Sequence, residues 1–256
     1  MSLIKVEKLT KHFGGITAVQ ELDFSIEAGG IVSIIGPNGA GKTTLFNLLT
    51  GVYAPSSGRI LFEGVDVTGR SPHQLAAIGL SRTFQNVQTF LNMSALENVM
   101  VGCHLHSNRR FIDALFHLPT IRKANAESRQ TAIELMEYVG LKAYLRSEAD
   151  QLPYGALKRL EIARALATRP RALLLDEPAA GLNPSETQEI DDLIQGIASQ
   201  GITVMLVEHD MKLVMGISDR IIVLDHGRWL AEGTADEIRH NHDVVGAYLG
   251  EQGRNR

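Results

Sequence analysis

The stretch Gly36-Pro37-Asn38-Gly39-Ala40-Gly41-Lys42-Thr43-Thr44 decides the fold of this 256-residue chain. It follows the apolar run Ile31-Val32-Ser33-Ile34-Ile35 and precedes Leu45, Phe46, Leu48 and Leu49. A strand, a glycine-rich loop and a helix start are therefore expected in that order. This is the context of a phosphate-binding loop, in which glycines let successive backbone N–H groups face one anion. The helix N-terminus adds its partial positive charge. Lys42 would reach the β- and γ-phosphates of a nucleoside triphosphate, and the Thr43 hydroxyl the Mg²⁺ they carry.

Working outward, the whole chain sets few other limits. Apolar residues make up 44% and charged residues 21%, ordinary for a soluble globular protein with a sizeable core. The net charge of −4 gives no reason to expect general nucleic-acid binding. Cys103 is the single cysteine, so no intramolecular disulfide can form and a reducing compartment is expected. Lys5, Glu7, Lys8 and Lys11 interrupt any apolar run that could serve as a signal peptide. No segment reaches the roughly 20 apolar residues that span a bilayer. Membrane association, if any, is expected to go through another protein.

Upstream of the loop, Ile4, Val6 and Leu9, then Leu22, Phe24 and Ile26, recur near the two-residue period of half-buried strands. Gly14-Gly15 separates them, which predicts an antiparallel sheet. Phe13, the aromatic of this entry loop, could stack on an adenine. Downstream, Arg59 to Gly64 reads as a short strand, Ser71-Pro72 opens a helix reaching about Ile78, and Leu80 to Gln85 reads as a strand ending on the glutamine. From about Asn86 to Arg169 the spacing turns helical. Arg109, Arg110, Phe111, Leu115, Phe116, Arg122 and Lys123 mix basic and apolar character there, the composition of a solvated helix pair or of a docking surface. Leu157, Leu160, Ala163 and Ala167 line another helix, with Lys158, Arg159, Glu161 and Arg164 expected on its exposed side. The core resumes at Ala172 to Asp176, an unbroken apolar run ending in a carboxylate, as in a fully buried parallel strand. Asn183 and Glu186 bracket a helix start, Thr203 to Val207 is a second buried strand, and Arg220 to Ala231 forms a hairpin about Asp225-His226-Gly227. Thr234 to Glu237 caps a closing helix.

Hydrolysing a γ-phosphate requires a metal, an oriented water and stabilisation of spreading negative charge. Asp176, at the carboxyl end of its strand, is placed to hold Mg²⁺ directly or through water. Glu177 points differently and can polarise the attacking water. His209 ends the Thr203–Val207 segment, within reach of the γ-phosphate or the water. Gln85, at the boundary of the helical block, can contact Mg²⁺ or water.

The phosphate loop, Gln85, Asp176-Glu177 and His209, in this order and with a helical insertion, resemble the ATP-binding subunit of an ABC transporter over essentially the whole chain. The resemblance implies an α/β fold: a P-loop NTPase core with an antiparallel β subdomain and an inserted all-helical lobe. The core would comprise about residues 1–85 and 170–256, the lobe about 86–169. It implies ATP and Mg²⁺ as ligands, with Phe13 on adenine and Gly36 to Thr44 as Walker A. Gln85 would be the Q-loop glutamine, Asp176 the Walker B aspartate, Glu177 the catalytic glutamate and His209 the switch histidine. Thr43, Gln85 and Asp176 would face the metal. Asp176 to Pro184, Glu208 to Gly216 and Ala247-Tyr248-Leu249-Gly250 are similar to branched-chain amino acid importers in particular. Such a subunit would hydrolyse ATP at the cytoplasmic face of the inner membrane, as a peripheral protein. It would pair with an identical or different ATPase subunit, with membrane permeases and, indirectly, with a periplasmic or surface binding protein. The alternatives are the ATPase of a lipid or lipopolysaccharide exporter, or a soluble ABC ATPase without transport.

One departure is expected to matter. The ABC signature Leu-Ser-Gly-Gly-Gln falls on Leu152-Pro153-Tyr154-Gly155-Ala156. Pro153 has neither hydroxyl nor N–H, and Ala156 lacks the glutamine amide. In the family each ATP lies between one subunit's loop and the other's signature. The change therefore weakens the site owned by the partner and leaves this chain's own loop complete.

Overall fold

The computed structural model describes residues 2–84, 88–106 and 119–254. Four strands, β1 (Ser2–Phe13), β2 (Ile16–Glu27), β4 (Ser57–Phe62) and β5 (Val65–Asp66), form an antiparallel sheet in the order β2-β1-β4-β5. The other six are β3 (Ile31–Ile35), β6 (Leu80–Arg82), β7 (Ala172–Asp176), β8 (Thr203–Val207), β9 (Arg220–Asp225) and β10 (Arg228–Gly233). They make a second sheet, β10-β9-β3-β8-β7-β6, parallel except for the β9–β10 hairpin.

The chemistry of β1 explains its broken period. Ile4 and Val6 point inward, then Leu9 does so three residues on. The register shifts between Val6 and Leu9, and Lys8 has φ +46°. A bulge absorbs the odd residue and keeps the apolar face continuous.

The parallel strands β3, β7 and β8 are buried along their whole length, so their alternating side chains fill two different cores. Ile34, Leu174, Met205 and Val207 pack with Leu45, Phe46 and Leu49 of helix α1 (Lys42–Leu49) and with the inward face of the antiparallel sheet. Leu173, Leu175, Val204 and Leu206 face the opposite way. They pack with Ile190, Leu193, Ile194 and Ile197 of a helix at Pro184–Ser199. Each such aliphatic side chain contributes about 1.5–3 kcal/mol when fully buried.

Helix α2 (Pro72–Ala77) precedes β6, and the described residues between β6 and β7 carry α3 (Ala95–Cys103), α4 (Pro119–Tyr138) and α5 (Tyr154–Leu166). Ala95, Val99, Ala132, Met136, Leu160 and Ala163 pack these helices together. The helix at Pro184–Ser199 is α6, and α7 (Met211–Ile217), α8 (Ala235–His240) and α9 (His242–Arg254) complete the chain. Among the described residues no helix is long and apolar enough to cross a membrane. The antiparallel sheet, the parallel core and the inserted helices form the expected α/β architecture.

Three expectations need correction or fall outside view. β6 stops at Arg82, so the strand does not run on to the glutamine, and Gln85 itself lies outside the described residues. So do Arg109, Arg110, Phe111, Leu115 and Phe116, and the side chains of Arg122 and Lys123. Lys158 and Glu161 are not on an exposed face: both are buried, against the core side of α5. Periodicity places charged residues outward by default, and here two of them are drawn inward to meet backbone partners.

Candidate functional site

The loop after β3, Asp176 at the end of β7 with Glu177 behind it, and Glu208-His209 after β8 mark the carboxyl ends of three adjacent parallel strands. Ile34 pairs in register with Val207, and Val207 with Asp176. Ligands bind at that edge of open α/β sheets.

The phosphate loop is shaped by close backbone approaches. Gly36 has φ +151°, and a Cβ there would lie 2.1 Å from the Leu224 carbonyl oxygen. Gly41, at φ +95°, is the N-cap of α1, and a Cβ on it would meet the Ala18 carbonyl at 2.5 Å. The Gly227 N–H of the β9–β10 turn donates to Ala40 O (3.1 Å), and Gln20 N–H donates to Gly227 O (2.7 Å). The loop is thus pinned to both sheets. Lys42 is buried, its ammonium donating to Gly36 O (2.7 Å) and Pro37 O (2.9 Å). Pro37 and Ala40 are buried, Asn38, Gly39 and Thr43 open to solvent, and Thr44 half-buried.

Phe13 is 42% exposed and packs edge-on against Tyr53, with centroids 5.2 Å apart. The Lys11 ammonium lies 5.0 Å from its ring centre. With that exposure the ring is still reached from solvent.

Asp176 is 2% exposed. Its Oδ2 accepts from Arg82 Nη2 at 3.1 Å, while Oδ1 is buried and has no hydrogen-bond partner among the described residues. Burial pushes this carboxyl up from its ordinary range; Arg82 opposes the shift and Glu177 adds to it. A buried carboxylate oxygen without a donor is costly, and it suits a cation or a cation's water. On that observation, and with Thr43 open at the start of α1, the residues fit Mg²⁺.

Glu177 has φ +50°, unusual for a residue with a Cβ. Its N–H donates to Val207 O (2.9 Å), and its carbonyl accepts from Ala180 N–H (3.2 Å) and Lys158 Nζ (3.2 Å). Held this way, its carboxylate Oε1 lies 2.7 Å from His209 Nε2. The structure therefore joins Glu177 to His209 directly. The His209 ring itself is half-exposed, open to a ligand.

Three functional candidates escape a reading by motif. Glu208 is buried, its carboxylate accepting from Ala179 N–H (2.8 Å) and His209 N–H (3.0 Å), and burial raises its pKa. It fastens the turn after Glu177 to the His209 backbone. Arg82 and Lys158 are the others. The available signal was charge inside apolar segments: Arg82 in a buried strand, Glu208 closing another, and Lys158 on a helix otherwise rich in Leu and Ala.

Pro153 is the N-cap of α5 and supplies no side-chain cap. The Tyr154 ring covers Gly181, where an added Cβ would lie 3.1 Å from its Cε1. Lys158 Nζ sits 5.7 Å from the Tyr154 ring centre. A Cβ on Gly155 would meet Glu186 Oε1 at 2.6 Å. The start of α5 therefore packs tightly on the segment that follows Glu177.

Comparison with known proteins matches residues 19–180 to the family model described as ABC transporter. Residues 230–253 match the model described as branched-chain amino acid ATP-binding cassette transporter. The chain is 48% identical over 250 residues to the high-affinity branched-chain amino acid transport ATP-binding protein BraF of Pseudomonas aeruginosa, covering 97% of this chain and 98% of that one. Against the corresponding protein LivG of Escherichia coli it is 46% identical, with the same coverage of 97% and 98%. Among solved structures, a nucleotide-free ATP-binding cassette from an ABC transporter superposes with a TM-score of 0.84 at 32% identity, covering 97% of this chain and 99% of that one. The ADP conformation of an ABC transporter cassette gives 0.84 at 31%, covering 98% and 99%.

Proposed function

Because the chain belongs to the ABC transporter ATP-binding family, we propose that it is the ATP-hydrolysing subunit of an importer for branched-chain or closely related amino acids. The observation that carries the substrate class is the match at residues 230–253. That segment runs from β10 into α9, outside the phosphate loop and the Asp176-Glu177 edge on which any ATPase of this fold depends.

In this reading the nucleotide-binding core comprises about residues 1–85 and 170–256, and about 86–169 form the helical lobe. Gly36 to Thr44 wrap the phosphates, their N–H groups and the α1 N-terminus meeting the negative charge. Lys42 exchanges loop carbonyls for phosphate oxygens. Phe13, 42% exposed, would stack on adenine, which is worth about 1–3 kcal/mol by analogy with nucleobases. Thr43, Asp176 and Gln85 would hold Mg²⁺, which supplies neutralisation of charge on the β- and γ-phosphates. Glu177 orients the attacking water and accepts its proton on the carboxylate as the water oxygen bonds to the γ-phosphorus and the bond to the ADP oxygen breaks. His209, 2.7 Å from Glu177, keeps that carboxylate aligned.

The subunit would work at the cytoplasmic face of a membrane, paired with a second ATPase subunit and bound to permeases that receive substrate from an external binding protein. The test is reconstitution with the permeases in sealed vesicles. ATP-dependent uptake of leucine presented by the binding protein is the expected result. Uptake that is absent while ATP drives lipid outward would replace this reading with the exporter.

A further inference from the structure

We infer that Arg82 is a positioning residue that reserves one oxygen of Asp176 for the metal site. The inference rests on the reading of Asp176 as a Mg²⁺ residue given above and goes beyond it, because it concerns how that carboxylate is aimed.

Arg82 and Asp176 have side chains only 7% and 2% exposed. An ion pair so buried pays heavily in lost hydration and persists only where geometry and further hydrogen bonds compensate. Here they do. Nη2 meets Asp176 Oδ2 at 3.1 Å, Nη1 donates to Asn47 Oδ1 (2.7 Å) and Thr50 Oγ1 (2.8 Å), and Nε donates to Thr83 O (3.2 Å). The Phe84 ring lies 4.4 Å from the guanidinium carbon and covers it. Every nitrogen of the group is committed, so the guanidinium plane is fixed.

The contact with Asp176 is one-sided. A guanidinium commonly grips a carboxylate through both oxygens, yet here Oδ2 alone is held. Oδ1 stays buried with no partner among the described residues. The result is a carboxylate whose rotation is locked by one oxygen while the other is kept for a cation or its water. Asn47 lies in α1, and Thr50 is its C-cap. The same helix begins with Lys42 and Thr43. One buried side chain therefore sets α1 and the end of β7 at a fixed spacing, which is what a metal held between Thr43 and Asp176 requires.

The test is binding of a fluorescent ATP analogue to the full chain, once in EDTA and once over a Mg²⁺ titration, for wild type, Arg82→Met, Arg82→Lys and Asn47→Ala. Changes to groups that orient a ligand residue commonly cost about 10- to 100-fold in metal affinity. Arg82→Met should raise the half-saturating Mg²⁺ concentration by about that factor, with affinity in EDTA unchanged within about twofold. Arg82→Lys, which keeps charge but loses the planar fork, and Asn47→Ala, which removes one anchor, should shift it the same way by less. An unchanged Mg²⁺ requirement in Arg82→Met would overturn the proposal. So would a loss of nucleotide affinity equal with and without Mg²⁺, the mark of a merely structural role. If Arg82→Met fails to fold, the other two variants decide on the same criteria. A wild-type protein that binds no nucleotide at all refutes the ATP reading beneath the proposal, a result distinct from the other outcomes.

Discussion

Glu177 occupies a left-handed backbone conformation at φ +50°, which costs a residue with a Cβ about 1–2 kcal/mol. The cost is borne because three hydrogen bonds to its own N–H and C=O hold the turn, and the turn aims the carboxylate at His209. Glu177→Gln keeps the shape and removes the carboxylate proposed to accept the water's proton. Its kcat should fall by about 10²–10⁴-fold, the usual worth of a general base, with ATP binding retained and the closed pair trapped. Single-turnover phosphate release alongside filter binding measures both, and sustained hydrolysis would remove Glu177 from the base role. Gly36→Ala should abolish ATP binding, because its methyl would sit 2.1 Å from Leu224 O; equilibrium dialysis with labelled ATP reads this directly. At this scale the gathering of the phosphate loop, Asp176-Glu177 and His209 at one sheet edge was legible from spacing and apolar runs, while Gln85 lies outside the described residues. Arg82, Lys158 and Glu208 were not, because what matters about them is a backbone or carboxylate partner far away in the chain.

Helix α6 begins with a reciprocal cap: Asn183 Oδ1 accepts from Ser185 N–H and Glu186 N–H, and the Glu186 carboxylate accepts from Asn183 N–H, all at 3.0 Å. Asn183→Ala should cost about 1 kcal/mol, or roughly 2–4 °C in Tm for a chain of this size, read by calorimetry. Further along α6, the Asp191 carboxyl is pushed up to about 6, first by burial and then by Asp210, Asp192 and Glu208, with Lys212 opposing. Its unfolded counterpart titrates near 3.8, so between these values the folded protein binds more protons than the unfolded one. The contribution of this group to stability is present at low pH and is lost as pH rises through about 6. Asp191→Asn should therefore match wild type in Tm near about pH 3, exceed it increasingly up to about pH 6, and hold that margin above it. A Tm difference that does not grow over that interval would count against the assignment. The helix caps and the buried strands were readable from the sequence, since capping boxes and unbroken apolar runs are local. The length of β6 and the burial of Lys158 and Glu161 were not, since both depend on which neighbours the fold supplies.

At the scale of the whole molecule, the proposed function gives the chain a complete loop for its own nucleotide and an altered signature to lend to a partner's. Pro153 and Ala156 cannot provide the hydroxyl and amide that a partner's γ-phosphate would meet. The expected assembly is a pair of different subunits with unequal sites, or an identical pair that turns over slowly. Pro153→Ser with Ala156→Gln should raise ATPase activity severalfold in a purified homodimer, measured by steady-state phosphate release; an unchanged rate would dismiss the signature as the cause. The two-sheet architecture was legible from the alternating strands before the loop and the unbroken ones after it. How the helical insertion seats itself was less so, because beside its apolar contacts it is fastened by Lys158 and Glu161, charged side chains that periodicity assigns to solvent. The seating of α5 also limits how this protein can change. Its first residues, Tyr154 and Gly155, pack on Gly181 and Glu186, and one turn later Lys158 holds the carbonyl of Glu177. Mutations in these few positions must satisfy two obligations together, so their effects should show epistasis. A combinatorial library across residues 153–158 should yield coupling energies above about 0.5 kcal/mol, with single replacements failing where pairs succeed.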